Sequence, residues 1–393
     1  MTARITLPTT EGNVERYQLR GGSAVNSLPK SSPPPRSRKA FAAAHVVVNP
    51  LATGSPINDT SIDWDATLAY RHHLWDLGFG VAEAMDTAHR GMGLPATLVP
   101  ELIGRSLKAA TERDALIACA AATDDLDPGV SASLSEITDA YKAQCDSIES
   151  AGGQTIVMAS RHLAATASGP SDYESVYRQV LRTLSKPTII HWLGPAFDPA
   201  LGGYWGSPDV DEATKALVRI IEENVEKVDG VKLSLLDPDR EVALRRQLPS
   251  GVRLYTGDDF NYPSLIRGDE TGHSDALLGI FDAIAPVAAL AFKALDAGDA
   301  ATFDALLAPT VPLSRKLFEA PTYHYKTGIV YLAYLRGHQD HFRMVAGLES
   351  ARSALHLADV FRLADTAGLL PDQELAVARM RPLMALAGVP ERH

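Results

Sequence analysis

Residues 211–256 have the sequence DEATKALVRIIEENVEKVDGVKLSLLDPDREVALRRQLPSGVRLYT. Two segments with apolar residues at helical spacing, Asp211–Lys227 and Asp237–Leu248, alternate with two short apolar runs, Gly230–Leu233 and Arg253–Thr256. The order helix, strand, helix, strand is typical of sheets in which a helix connects each strand to a parallel neighbour. This stretch therefore predicts an α/β fold, and the same order extends outward from it in both directions.

The alternation extends over most of the chain. Eight strands are predicted, at His45–Val48, Gly80–Ala84, Leu116–Ala120, Thr155–Met158, Thr188–His191, Gly230–Leu233, Arg253–Thr256 and Ala276–Ile280. Helices are predicted between them, at Trp64–Asp76, Leu98–Ala110, Ser131–Ser150, Tyr173–Leu184, Asp211–Lys227 and Asp237–Leu248, with a short turn after Asn261. Eight such repeats predict a (β/α)8 TIM barrel. A doubly wound open sheet is the competing fold, but the sequence has neither G-x-G-x-x-G after the first strand nor G-x-x-x-x-G-K-[ST].

The two ends of the chain differ from the repeating part. Ile5, Leu7, Tyr17 and Leu19 predict a short hairpin, and the proline-rich residues 31–39 predict an extended linker. After the eighth strand the pattern is helical throughout, at Val287–Ala297, Ala301–Leu307, Leu313–Phe318, Lys326–Arg336, Ser353–Ala367 and Asp372–Ala387. We expect an N-terminal arm over 1–39, a barrel over 40–300 and a C-terminal helical extension over 301–393.

The composition limits the classes of function. The chain has 393 residues, is 46% hydrophobic, and carries a formal net charge of −11. It can therefore form a large core, while its acidity argues against nucleic acid or an anionic membrane as a partner. The sequence contains no apolar run of the roughly 20 residues that a membrane span needs. Cys119 and Cys145 are too few for a disulfide framework, so a reducing cytoplasm is the expected location.

In a TIM barrel the chemistry takes place where strands end and loops begin. The sixth predicted strand contains Lys232, within a run that is otherwise apolar. Burial favours the neutral form of a lysine, and a neutral amine can attack a carbonyl to form a Schiff base. A lysine that reaches solvent or pairs with an aspartate is the alternative. His191 ends the fifth strand, where it could transfer protons or be an ordinary core histidine.

Other polar residues follow neighbouring strands and predict a polar pocket that takes a small-molecule substrate. The candidate substrate-binding residues are Asp86, Thr87, His89, Arg161, Asp258 and Asp259. Four acidic or histidine side chains at these ends, Asp86, His89, His191 and Asp258, could alternatively hold a divalent metal. The motif Gly337-His338-Gln339-Asp340-His341 also has the composition of a metal site, but it falls in the helical extension, where we expect surface or interface histidines.

Three short motifs, taken in order, resemble the dihydrodipicolinate synthase / N-acetylneuraminate lyase superfamily of class I aldolases. They are Lys186-Pro187-Thr188-Ile189-Ile190 in the fifth strand, Gly230-Val231-Lys232 in the sixth and Gly257-Asp258-Asp259 after the seventh. The resemblance covers residues 40–310 approximately, and it is closest to a branch known only as a domain of unknown function. It implies a Schiff-base nucleophile at Lys232, and neither a metal nor an organic cofactor.

The chain departs from the superfamily's pattern at two places. A tyrosine that relays protons has no counterpart, and His191 is our substitute for that role. Where the superfamily has G-T-T-G-E to bind a carboxylate, Thr87 matches but Asp86 does not, and an aspartate would repel a carboxylate. We therefore expect a lyase acting on a sugar-derived carbonyl compound. A metal-dependent isomerase or epimerase and a non-catalytic sugar-binding barrel are the alternatives, and a homo-oligomer is expected.

Overall fold

The computed structural model describes residues 3–20, 29–55, 59–127 and 129–391. The chain divides into two compact units. The barrel unit consists of Arg38–Ala44 and Phe79–Gly279, and the helical unit consists of Met1–Ser37, His45–Gly78 and Ile280–His393. The boundaries 1–39, 40–300 and 301–393 stay a prediction.

The barrel unit contains eight parallel strands that close on themselves. The strands are β3 (Ala40–Ala43), β4 (Gly80–Glu83), β5 (Ile117–Ala121), β6 (Gln154–Val157), β7 (Thr188–Leu193), β8 (Val228–Ser234), β9 (Arg253–Thr256) and β10 (Asp275–Leu278). Each strand pairs with the next, and β10 pairs with β3 to complete the closed barrel. The predicted (β/α)8 TIM barrel is therefore confirmed, and so is the C-terminal helical extension.

Helices connect the strands in the predicted order. They are α1 (Trp64–Asp76), α2 (Val99–Glu112), α3 (Leu134–Ser150), α4 (Arg161–Thr166), α5 (Pro170–Thr183), α6 (Val210–Glu222), α7 (Pro238–Arg245), α8 (Tyr262–Arg267) and α9 (Ile280–Asp296). Of these, α1 and α9 belong to the helical unit. The predicted turn after Asn261 is the short helix α8, and α9 begins earlier than predicted, with Pro286 inside it.

The first predicted strand, His45–Val48, is wrong. The first barrel strand is the alanine-rich segment Ala40–Ala43, which pairs with β10 and β4. The β-branched run that follows donates its backbone N–H groups to side chains of the helical unit, because His45 N bonds Asp282 and Val47 N bonds Thr67. The prediction of His45–Val48 rested on the β-propensity of its β-branched residues. This propensity reflects how well a side chain packs on a pleated surface more than any intrinsic backbone preference, so it does not identify a strand by itself.

The interior of the barrel is filled by alternate residues of each strand, since successive side chains of a strand point to opposite faces. Large rings lie opposite glycines there. A Cβ atom at Gly80 would lie 2.6 Å from the Phe41 ring, and one at Gly230 would lie 2.7 Å from the Tyr255 ring. The two rings pack edge to face with centroids 6.0 Å apart. The glycine of the Gly230-Val231-Lys232 motif therefore leaves space for an aromatic ring.

A network of ion pairs and hydrogen bonds connects residues at the amino ends of four barrel strands, β3, β8, β9 and β10. The buried Asp275 accepts hydrogen bonds from Lys39 N at 2.7 Å and from Arg253 Nη1 at 2.8 Å. Asp229 accepts a bond from the Tyr255 hydroxyl and pairs with the Lys39 ammonium at 3.3 Å. This end of a TIM barrel contributes to stability, while the opposite end carries the chemistry.

The helical unit also contains the predicted N-terminal hairpin and the helices that follow the barrel. The hairpin is β1 (Arg4–Pro8) and β2 (Val14–Gln18), paired antiparallel. The further helices are α10 (Ala300–Leu307), α11 (Thr310–Leu317), α12 (Tyr325–Leu335), α13 (Ala354–Thr366) and α14 (Gln373–Leu386). The Tyr17 hydroxyl of β2 donates to Asp365 of α13 at 2.6 Å, so the hairpin is bound to the helices. Within the described ranges, no helix has both the length and the apolar character to cross a membrane.

Replacing Gly230 with alanine tests the packing inside the barrel. The new methyl group would overlap Tyr255 and the Arg253 carbonyl, so the free energy of unfolding should fall by about 1–3 kcal/mol. Gly104→Ala is the matched control, because no atom lies within 4 Å of its Cβ position on the exposed face of α2. This control should gain about 0.5–1 kcal/mol from helix propensity. Urea unfolding followed by circular dichroism measures both, and equal effects would contradict the packing.

Candidate active site

Lys232 and His191 lie side by side inside the barrel. They are paired residues of the neighbouring strands β8 and β7. Both side chains point into the barrel, because alternate residues of a strand share a face. His191 is two residues after the core residue Ile189, and Lys232 is two residues after Gly230. Lys232 is 4% exposed and His191 is fully buried. The structure therefore brings the two residues predicted to be catalytic together.

Burial shifts both groups toward their neutral forms. Desolvation lowers the pKa of the Lys232 amine below its usual 10.5, while the negative charges of Asp86 and Asp259 act in the opposite direction. Burial, and then the positive charge of Lys232, lower the pKa of His191 well below 6.5. His191 is therefore an uncharged imidazole near neutral pH, and the uncharged fraction of the lysine is larger than that of an exposed lysine.

The hydrogen bonds of His191 define its tautomer. Its Nδ1 atom lies 3.2 Å from the Met158 sulfur, and its Nε2 atom lies 3.2 Å from the Ser234 hydroxyl. A thioether sulfur has no proton to give, so Nδ1–H donates to it. Nε2 is then left with a lone pair that accepts the Ser234 hydroxyl proton. Ser234 follows Lys232 by two residues on the same strand face, so a serine–histidine pair lies beside the lysine.

The Gly257-Asp258-Asp259 motif borders the lysine on its other side. A Cβ atom at Gly257 would lie 3.0 Å from Lys232 Cε and would overlap Ser234 Oγ. The absence of a side chain at 257 thus leaves room for the lysine. Asp259 is close enough for its charge to act on the Lys232 amine. Asp258 instead holds its own turn, because it accepts bonds from Phe260 N at 2.8 Å and from the backbone and side chain of Asn261.

A cavity of about 650 Å³, which we call the mouth cavity, lies at the carboxyl ends of β4 to β7. Asp86 and Arg161 both line it, so two of the predicted substrate-binding residues share one space. Arg161 Nε donates to Asp198 at 2.6 Å, and its Nη1 donates to the Gly91 carbonyl at 3.1 Å. The guanidinium therefore bridges the loops that follow β4, β6 and β7.

Thr87 and His89, two other predicted substrate-binding residues, are completely buried in the turn after β4. Neither belongs to the described residues that line the mouth cavity. His89 adopts a left-handed backbone conformation, with φ of 64°. The structure thus brings Asp86 and Arg161 to the cavity, places Asp86 and Asp259 near Lys232, and leaves Thr87, His89 and Asp258 within their own turns.

The residues considered as metal ligands are not arranged as a metal site. Over the part of the chain that the structure describes, no group of three or more His, Cys, Asp or Glu side chains could hold an ion. The 337–341 motif was expected to carry surface or interface histidines, and its His338 is half-buried. Its ring lies against His73 with centroids 4.3 Å apart, and the buried Gln339 lies 3.3 Å from His45 Nε2. These contacts are internal to the helical unit.

A family model described as "Protein of unknown function (DUF993)" matches residues 5–389. The chain belongs to this family. No curated protein matches the sequence at a significant level.

Solved structures of dihydrodipicolinate synthases share the fold. The enzyme from Aquifex aeolicus matches with a TM-score of 0.64 at 13% identity, over 85% of this chain and 99% of that one. The enzyme from Oceanobacillus iheyensis matches with a TM-score of 0.59 at 14% identity, over 79% and 89%. The chloride-inhibited enzyme from Acinetobacter baumannii, solved with pyruvate, matches with a TM-score of 0.60 at 14% identity, over 84% and 99%. The resemblance inferred from the three motifs is therefore confirmed at the level of fold.

Two residues that the sequence analysis did not single out are close to the site. Ser234 bonds His191, and its position two residues after Lys232 on one strand face could have indicated it. Glu241 of α7 is 1% exposed and accepts hydrogen bonds from Thr256 at 2.9 Å and Ser274 at 2.7 Å. Thr256 Oγ1 in turn accepts a bond from Asp258 N, so Glu241 supports the turn that carries Asp259. No sequence pattern marks Glu241, because it lies on a helix of ordinary composition.

The Glu241→Gln variant tests this buried carboxyl. Burial raises the pKa of Glu241 from the usual 4.5 to about 8, against the lowering effect of its two hydroxyl donors. Between these values the native state binds more protons than the unfolded state, so this group makes the protein less stable as pH rises. The variant lacks this dependence while its amide still bonds both hydroxyls. Its unfolding free energy relative to the native sequence should therefore rise by up to a few kcal/mol from pH 5 to pH 8.5.

Thermal and urea unfolding of both proteins at matched pH values measure this difference. A constant difference over the pH range, or a difference that falls with pH, would contradict the assignment.

Proposed function

We propose that this protein is a Schiff-base-forming lyase that acts on a sugar-derived carbonyl compound. The observation that supports it is the burial of the Lys232 amine inside the barrel, beside His191 and within the field of Asp86 and Asp259. A buried lysine is costly to keep charged, so a fold that buries one favours its nucleophilic form.

In the proposed reaction the neutral Lys232 Nζ attacks the substrate's carbonyl carbon. The carbonyl oxygen leaves as water after it gains two protons, and a protonated imine joins the lysine to the substrate. This cation can accept an electron pair from the neighbouring carbon. Removal of a proton from a β-hydroxyl then breaks the adjacent carbon–carbon bond. Removal of an α-proton instead gives an enamine, from which the β-hydroxyl leaves as water when it takes up that proton. In both cases water hydrolyses the imine at the end and frees Lys232. The same groups serve either outcome.

His191 is the proposed proton-transfer group. Its neutral Nε2 lone pair, which faces the Ser234 hydroxyl, can take a proton from the substrate through that hydroxyl and return it later. The protonated imine carries a positive charge where the neutral amine carried none, so the negative charges of Asp86 and Asp259 stabilise the intermediate electrostatically.

The proposed substrate is neutral and hydroxylated. Asp86 lines the mouth cavity and its charge acts on Lys232, so a carboxylate of the substrate placed beside it would be repelled. An aspartate accepts hydrogen bonds from hydroxyl groups through several lone pairs. The Acinetobacter baumannii enzyme was solved with pyruvate, and we expect this chain to differ from it on this point. The homo-oligomeric state and the compartment predicted from the sequence both stay predictions.

Trapping with borohydride tests the proposed chemistry. The protein is incubated with borohydride and, in turn, glyceraldehyde, dihydroxyacetone or pyruvate, and then analysed by intact mass and peptide mapping. We expect a reduced adduct on Lys232, formed faster with the neutral compounds than with pyruvate. Lys232→Arg should form no adduct because its guanidinium is not nucleophilic.

Lys39→Arg is the matched control, because Lys39 is another barrel lysine but lies at the amino end, paired with Asp229. It should form the same adduct as the native protein. The proposal fails if no compound is trapped, or if the adduct maps to other lysines in proportion to their exposure. Faster trapping with pyruvate would overturn the neutral substrate alone.

A further inference from the structure

Lys232 and His191 do not themselves belong to the described residues that line the mouth cavity, but lining residues connect the cavity to this pair. Met158 lines the cavity, and its sulfur touches the His191 ring nitrogen at 3.2 Å. Leu193, two residues beyond His191 on the same face of β7, also lines it. Asp86 lines it as well, and its charge acts on both Lys232 and His191. A substrate bound to Lys232 would therefore extend into this cavity.

The volume exceeds what a small keto acid requires. A cavity of about 650 Å³ lies within the range of sites that enclose whole drug-sized ligands. Its polar side chains include hydroxyls: Thr123 bonds Ser160 at 2.6 Å, and both line the cavity. Leucines such as Leu94 and Leu201 form other parts of the wall. Such a lining suits a ligand that presents several hydroxyl groups and an apolar face.

The cationic side chains of the lining are already neutralised by aspartates. The Arg90 guanidinium is buried and makes a two-point bond to Asp124, at 2.9 and 2.7 Å. Arg161 pairs with Asp198 at 2.6 Å. With Asp86, the lining carries three carboxylates against two guanidinium groups, so an anionic ligand would meet a net negative surface.

We propose that the mouth cavity binds the uncharged, hydroxylated distal part of the substrate, and that Asp198 excludes anionic ligands by pairing with Arg161. This deepens the proposed function, on which the identity of the ligand as substrate rests. Asp198 is the specificity-determining residue because Arg161 is about half exposed at the cavity, where an incoming anion can reach it. Arg90 is buried, and its bonds to Asp124 and Gln144 make it inaccessible.

The Asp198→Asn variant separates the effect of the Asp198 negative charge from that of its hydrogen bonds. Asp198 also caps the short turn at Pro199–Leu201, where its side chain accepts a bond from Ala200 N. Asparagine caps as well as aspartate does, so the variant keeps the loop while it releases Arg161. Asp211→Asn is the matched control. It removes the same charge from another arginine–aspartate pair, Arg240 with Asp211, which connects α6 and α7 and does not line the described cavity.

The probes are erythritol and erythritol 4-phosphate, which differ in charge and lack a carbonyl. Their dissociation constants are measured by ligand-observed NMR for the native protein and both variants. The native protein and Asp211→Asn should prefer erythritol. Asp198→Asn should shift the ratio of the two constants toward the phosphate by about tenfold or more.

A fourth protein places binding in the cavity. Ala132→Trp narrows it from a partly exposed loop position, and should weaken erythritol binding while borohydride still traps glycolaldehyde on Lys232. The proposal is overturned if Asp198→Asn leaves the preference unchanged, if Asp211→Asn shifts it equally, if Ala132→Trp binds erythritol as tightly as the native protein does, or if neither compound binds any of the proteins. Since neither erythritol nor its phosphate can form an imine, failure of borohydride trapping in the native protein would remove the proposed function but would leave the dissociation constants of these two probes unaffected.

Discussion

Closure of eight parallel strands into a barrel forces alternate residues of every strand into one small interior, and the site depends on how that interior is filled. Near the amino ends it is closed by Phe41 and Tyr255, each packed over a glycine of a neighbouring strand. Nearer the carboxyl ends, the same alternation of side chains along each strand places His191 and Lys232 inside the barrel. A parallel sheet that is covered on both faces has no solvent-facing side to which an inward-pointing lysine could turn.

The burial of Lys232 is therefore a consequence of strand register, and the surrounding residues offset its cost. Gly257 leaves space for the lysine side chain, and Asp86 and Asp259 supply the charges that favour its ammonium form. Desolvation acts more strongly than these charges, so the net effect is a lowered pKa. The negative charges of Asp86 and Asp259 then stabilise the protonated imine, a cation that forms only when the amine has reacted. This is the general form of electrostatic catalysis, in which fixed charges are directed at a charge that develops during the reaction.

The sequence predicted the architecture well because its signals are local and repeated. Seven of the eight strands overlap their predicted positions, and α1 has the predicted bounds. The error at His45–Val48 arose where β-branched residues serve the helical unit, while the alanines of β3 carry a weak strand signal but fit the interior. Lys232 and His191 could be indicated because strand ends are readable in a sequence. Ser234, Glu241 and the Arg161–Asp198 pair could not, because their importance depends on distances between segments far apart in the chain.

The central claim is that the Lys232 amine is held inside the barrel with a lowered pKa. Incorporation of lysine labelled with ¹³C at Cε, followed by a pH titration by NMR, measures this directly, and Lys232→Arg identifies the resonance. The account predicts that the Lys232 signal titrates below the usual 10.5, while a surface lysine such as Lys215 does not. A Lys232 signal that titrates at or above 10.5 would contradict the account, because it would show an amine that stays charged and cannot act as the nucleophile.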